Sequence, residues 1–137
     1  MKNKLQYLFF CTLVFLFSCN KNTKQNSETD AANPTISVVE FSKKIKEDKN
    51  VVILDVRTPK EYAQEHLPNA ILENMQEDSF NENIAKMDKS KTYLLYCKVG
   101  GRSSKALDIM KKAGFKQVFH LGGGIADWKK AGEQTTK

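Results

Sequence analysis

From residue 35 onward, short apolar runs alternate with stretches whose apolar positions recur at helical spacing. Ile36-Ser37-Val38 predicts a first strand, followed by a helix through Phe41 and Ile45. Val51-Val52-Ile53-Leu54 is an unbroken, largely β-branched run, the pattern of a strand buried on both faces. Thr58 suits an N-cap, Pro59 the first helical position and Glu61 the reciprocal partner of the cap, which predicts a short helix over residues 59–65. Ala70-Ile71-Leu72 predicts a third strand. Ser79 with Glu82 predicts a second capping box, opening a helix through Ile84 and Met87. Thr92-Tyr93-Leu94-Leu95-Tyr96 predicts a fourth strand. Residues 103–113 predict a helix with Ala106, Leu107, Met110 and Ala113 on one face and Gly114 as its stop. Val118-Phe119-His120 predicts a fifth strand, and residues 125–131 a last helix after three glycines. Strands alternating with helices predict an α/β domain, a three-layer arrangement in which helices flank a mainly parallel five-stranded sheet.

A different pattern precedes this unit. Lys2 and Lys4 lie ahead of an apolar run over residues 5–17, interrupted only by Gln6, Cys11 and Thr12. The run is shorter than the roughly 20 residues a helix needs to cross a bilayer. A basic start, a short apolar stretch and the small Ser18 describe an export signal. Leu16-Phe17-Ser18-Cys19 resembles a bacterial lipobox, with Phe17 bulkier than that pattern usually carries. The resemblance implies cleavage before Cys19 and lipid on that residue, and Asn20 after it leans toward the outer membrane. The expectation is therefore a lipoprotein-type signal over 1–18, and a lipidated Cys19 with a flexible tether over 19–34. The tether carries no large apolar residue and cannot offset its chain entropy by burial. A folded α/β domain over 35–132 and a short polar tail over 133–137 complete the expected organisation. The protein would then be anchored to the cell envelope by lipid, facing the periplasm or exterior, without spanning the membrane.

Charge changes this picture little. The 137 residues carry 22 Lys+Arg against 16 Asp+Glu, a formal +6 that falls to +4 without Lys2 and Lys4. The basic residues are scattered and mostly lysine, so no nucleic-acid partner is expected and a monomer is. Arginine occurs only at Arg57 and Arg102. Three cysteines are too few, and too odd a number, for a disulfide scaffold. Two histidines far apart in sequence give no metal-ligand spacing, so neither metal nor other cofactor is expected.

The chemistry concentrates where the fourth strand ends. Cys97 follows Tyr96 directly, and Lys98-Val99-Gly100-Gly101-Arg102 lead into the next helix. In parallel sheets such strand-to-helix loops bind ligands. Two glycines let the backbone curl and turn several N–H groups inward, and the helix N-terminus adds its dipole, which makes an anion site centred on Cys97. The same field favours thiolate over thiol, so Cys97 is expected to have a depressed pKa and to need no general base. A buried, inert cysteine ending a core strand is the alternative, but packing alone requires no anion-shaped loop.

Cys97-Lys98-Val99-Gly100-Gly101-Arg102-Ser103 resembles the active-site loop of the rhodanese (sulfurtransferase) family, a Cys followed by four residues and an Arg. Leu54-Asp55-Val56-Arg57-Thr58-Pro59-Lys60-Glu61-Tyr62, continuing to His66-Leu67-Pro68-Asn69-Ala70-Ile71, resembles a second signature, with Asn69 where Gly is common. Leu121-Gly122-Gly123-Gly124-Ile125-Ala126-Asp127-Trp128 resembles the C-terminal one. The resemblance implies that Cys97 takes the outer sulfur of a donor such as thiosulfate as a persulfide and passes it to a thiol or cyanide. Lys98, Val99, Gly100, Gly101 and Arg102 would form the substrate loop, with Arg102 docking the anion and bracing the loop. Asp55, Arg57 and Glu61 are expected as framework, Arg57 through an ion pair. His66 is expected to be a hydrogen-bonded structural residue and Trp128 a core anchor. His120 could face the site or the surface. Three rivals stay open: a Cys-based phosphatase, whose loops hold five residues between Cys and Arg; a binding module without turnover; and a redox sensor at Cys97.

Overall fold

A computed structural model describes residues 34–137. The expected signal, the Cys19 anchor and the tether up to residue 33 lie outside the described residues. The elements run β1 (Thr35–Ile36), α1 (Val38–Glu47), β2 (Val51–Asp55), α2 (Pro59–Gln64), β3 (Ile71–Leu72), α3 (Phe80–Lys86), β4 (Thr92–Tyr96), α4 (Gly101–Lys112), β5 (Val118–Leu121) and α5 (Gly124–Lys130). All four strand pairings are parallel, in the order β1-β5-β4-β2-β3. The central pair aligns Val51 with Thr92 through to Asp55 with Tyr96. From β2 the chain moves out to β3 and then crosses back to β4, so the carboxyl ends of β2 and β4 form the topological switch point.

Alternation along the strands builds a core on each face of the sheet. Leu54, Val56, Tyr93, Leu95, Cys97 and Val118 pack toward α3 and α4, with Ile84, Ala106, Leu107 and Met110. Ile53, Leu94, Tyr96, Phe119 and Leu121 pack toward α1 and α5, with Phe41, Ile125 and Trp128. Each fully buried Leu among them contributes about 1.5–3 kcal/mol of apolar burial. Trp128 anchors the last helix as expected, edge-on to Phe41, and its indole N–H donates to the Gln134 carbonyl at 2.8 Å. The polar segment after residue 132 lies on the domain, where the Thr136 and His66 backbones exchange two hydrogen bonds.

Two local expectations are corrected. Val38 is the first residue of α1, not the end of a strand, because Ser37 and Glu40 close a reciprocal capping box ahead of it. Ser79 makes no cap hydrogen bond, since its backbone is already helical (φ −71°, ψ −11°) and its side chain is not turned over the helix end. At residues 58–61 the expected box is present, Thr58 and Glu61 each capping the other's backbone. Asn69 has φ 61°, a left-handed conformation that Asn tolerates better than most residues and that glycine enters freely.

Candidate active site

Cys97 sits immediately beyond β4 at the switch point and is 1% exposed. Gly100 adopts φ 95°, which turns the chain into α4 two residues earlier than the predicted start at Ser103. Ser103 consequently lies inside the first turn, over the cysteine rather than at the helix boundary. The Gly100 N–H donates to Cys97 Sγ at 3.1 Å, and the Ser103 hydroxyl lies 3.6 Å from the same sulfur. Burial pushes the Cys97 thiol up, but the Ser103 amide and hydroxyl with the Val99 and Gly100 amides outweigh it, so the net shift is downward. A cavity of about 400 Å³ opens over the sulfur, lined by Cys97, Lys98, Val99, Gly101, Arg102 and Lys105.

The outer side of the loop is held by the last glycine stretch. Ile125 N–H donates to the Cys97 carbonyl at 2.9 Å and Ala126 N–H to the Lys98 carbonyl at 3.2 Å. With these carbonyls tied back, the loop amides are left to face the sulfur. No side chain fits in this contact. A Cβ on Gly124 (φ 61°) would meet the Cys97 carbonyl at 2.4 Å, and one on Gly100 would meet the Gly122 carbonyl at 1.9 Å.

The two arginines take different partners. Arg57 is 3% exposed and grips Asp55 through Nε and Nη2, the shortest contact being 2.6 Å, while Nη2 also donates to the Glu65 carbonyl. Asp55 further accepts the Tyr96 hydroxyl at 2.6 Å, and that oxygen receives the Leu67 N–H. Burial and the Asp55 charge raise the Tyr96 pKa well above its ordinary value. Glu61 belongs to the other pair: Arg102 Nη1 and Nη2 bind its two carboxylate oxygens at 2.7 and 2.6 Å. Arg102 therefore braces α4 against the N-terminal turn of α2, and Lys98 and Lys105 are the exposed cations of the cavity wall.

His66 is structural in its contacts, Nδ1 lying 3.0 Å from the Tyr62 carbonyl and the ring stacked on Tyr62. His120 is buried behind the loop, and Ser103, Lys105 and the carbonyl contacts of residues 125 and 126 extend the predicted site. Ser103 was signalled by its place directly after Arg102, and Lys105 by its position one helical turn beyond Gly101. Among the described residues no group of His, Cys, Asp and Glu could hold a metal ion.

The Glu61 ion pair carries a pH signature. Arg102 above all, against partial burial, lowers the Glu61 pKa from 4.5 to about 2. A depressed carboxylate stabilises the fold above its unfolded pKa, and the contribution fades as pH falls through the folded value. Glu61→Gln is expected to be less stable than wild type by about 1 kcal/mol at neutral pH, since the pair is bidentate but partly exposed. The gap should close between pH 4.5 and about 2. Urea unfolding across that range measures it, and a gap that persists undiminished at the acid end would refute the assignment.

A buried cysteine at the switch point of a parallel α/β sheet, its pKa shifted down by the loop amides and the Ser103 hydroxyl, defines a cysteine-centred α/β domain. The chain belongs to the rhodanese-like domain family, whose pattern matches residues 37–131. It is 37% identical over 81 residues to the thiosulfate sulfurtransferase GlpE of Coxiella burnetii, covering 59% of this chain and 74% of that protein. It is also 37% identical over 100 residues to the probable adenylyltransferase/sulfurtransferase MoeZ of Mycobacterium tuberculosis. That match covers 73% of this chain and spans only 26% of the longer relative. A rhodanese-like domain protein from Staphylococcus aureus superposes with a TM-score of 0.61 at 33% identity, over 69% of this chain and 89% of that structure.

Proposed function

We propose that this protein transfers a sulfane sulfur from an anionic donor such as thiosulfate to a thiol or cyanide acceptor through a persulfide on Cys97. The Cys97 thiolate attacks the outer sulfur of thiosulfate. A new S–S bond forms at Sγ, the donor's S–S bond breaks, and sulfite leaves with the bonding electron pair. An acceptor thiolate then attacks the outer sulfur, and the electrons of the Sγ–S bond return to Cys97. The observation that carries this reading is the amide ring on the sulfur, with Gly100 N–H at 3.1 Å, which stabilises a negative sulfur before and after transfer. Lys98 and Lys105, exposed on the cavity wall, offer charge to an anionic donor, while Arg102 keeps the loop in place through Glu61.

The test is direct. Incubation of the full chain with thiosulfate is expected to add one sulfur atom to the Cys97 peptide by mass spectrometry, and cyanide should then remove it as thiocyanate. A peptide that gains no sulfur, or phosphate release from an aryl phosphate in its place, would overturn the proposal.

A further inference from the structure

His120 is 5% exposed and sits on the same face of the sheet as Cys97, with hydroxyls at both ring nitrogens. Nε2 lies 2.9 Å from Thr35 Oγ1, and Nδ1 lies 3.2 Å from Ser103 Oγ. Ser103 Oγ in turn lies 3.0 Å from the Gly100 carbonyl and 3.6 Å from Cys97 Sγ. These contacts are a problem of allocation, because the serine hydroxyl has one proton and a neutral imidazole has one N–H. Burial lowers the His120 pKa, with Asp108 pulling the other way, which favours the neutral ring.

The tautomer decides where the serine proton goes. With the ring proton on Nε2, Nδ1 is an acceptor and draws the Ser103 proton away from the sulfur. With it on Nδ1, the ring donates to Ser103 Oγ, and the serine proton is left for Sγ and the Gly100 carbonyl. A negative sulfur favours the second arrangement, since N–H and O–H dipoles then align toward the charge. Thr35 matches it by donating its hydroxyl to the bare Nε2.

We propose that His120 is a positioning residue for Cys97: held as the Nδ1–H tautomer, it turns the Ser103 hydroxyl onto the sulfur. No bond is made or broken and no proton is exchanged in this role; the ring orients a donor. The inference rests on Cys97 being the reactive thiol of the proposed function, but its tests require no sulfur transfer.

Nitrogen-15 chemical shifts of the histidine rings in the full chain read the tautomer directly. The sequence has two histidines, and the signals lost in His120→Asn are those of His120. Protonated Nδ1 with bare Nε2 is the expected result; protonated Nε2 overturns the proposal. The pH profile of iodoacetamide labelling, read on the Cys97 peptide, gives a second test. His120→Asn carries an amide nitrogen in the place of Nδ1 and is expected to keep the wild-type profile. His120→Gln carries it in the place of Nε2 and is expected to move the labelling profile up by about one pH unit, as Ser103→Ala is expected to do. Ser103→Ala with His120→Gln should go no further than Ser103→Ala alone. Equal profiles for the Asn and Gln variants, or additive shifts, overturn the proposal. Thiolate behaviour as expected in a protein that takes no sulfur from thiosulfate would reject the transfer reading and leave this one intact.

Discussion

Cys97→Ser is expected to leave a folded protein that takes up no sulfur from thiosulfate, with turnover lower by at least about 10⁴-fold, the scale on which loss of a nucleophile registers. The reason is the atom, not the shape. A serine hydroxyl is not ionised at neutral pH, so the amide ring would surround a neutral oxygen with no nucleophilic electron pair of comparable strength. The fold should tolerate the change, because an oxygen at this position still meets the Gly100 N–H. The stability difference should stay within about 1 kcal/mol, the net worth of one such hydrogen bond. Intact mass after thiosulfate and the unfolding midpoint together check the claim. Sulfur retained by the Ser variant would place the acceptor on Cys11 or Cys19 and remove Cys97 from the chemistry.

The largest loss of stability is expected from Arg57→Ala. Arg57 is 3% exposed and its guanidinium binds Asp55, which is fully buried and cannot recover water when its partner is removed. Leaving one member of a buried pair uncompensated costs about 3–5 kcal/mol, a large part of the about 5–15 kcal/mol that holds a domain folded. The double change Asp55→Asn with Arg57→Met should recover much of the loss, since it removes the stranded charge together with its partner. Denaturant unfolding of wild type, single and double variants makes the comparison. A single variant within about 1 kcal/mol of wild type would show that the Tyr96 hydroxyl and the residue 57 amide suffice for Asp55 without the guanidinium.

How far the chain could be understood before its fold was seen depends on the range of each interaction. The parallel sheet was legible because its strands are continuous apolar runs, and the Cys97 loop because its determinants lie within seven consecutive residues. That Arg57 would form an ion pair was legible for the same reason, but the choice of Asp55 over Glu61 as its partner was not. Val38 misled because a β-branched residue beside Ile36 mimics a strand, while the capping box through Ser37 and Glu40 outweighs that preference. The partner of Arg102 was not legible. Glu61 lies near Arg57 in sequence, and only the packing of α2 beside α4 carries it across to the other arginine. His120 was undecided between the site and the surface for want of register. Once β5 is set with His120 beside Leu95, the period of two puts it on the same face as Cys97.

The seat beneath the reactive loop also has a consequence in time. A chain emerges from synthesis N-terminus first, so Cys97 and its loop exist before the glycines and the helix start that tie back their carbonyls. Until residues 122–126 have emerged and docked, the Cys97 and Lys98 carbonyls lack the Ile125 and Ala126 amides, and the loop is held only by the contacts within residues 97–104. If Cys97 is the reactive thiol proposed above, its reactivity is thus expected to arise only once the segment that ties back its loop is in place.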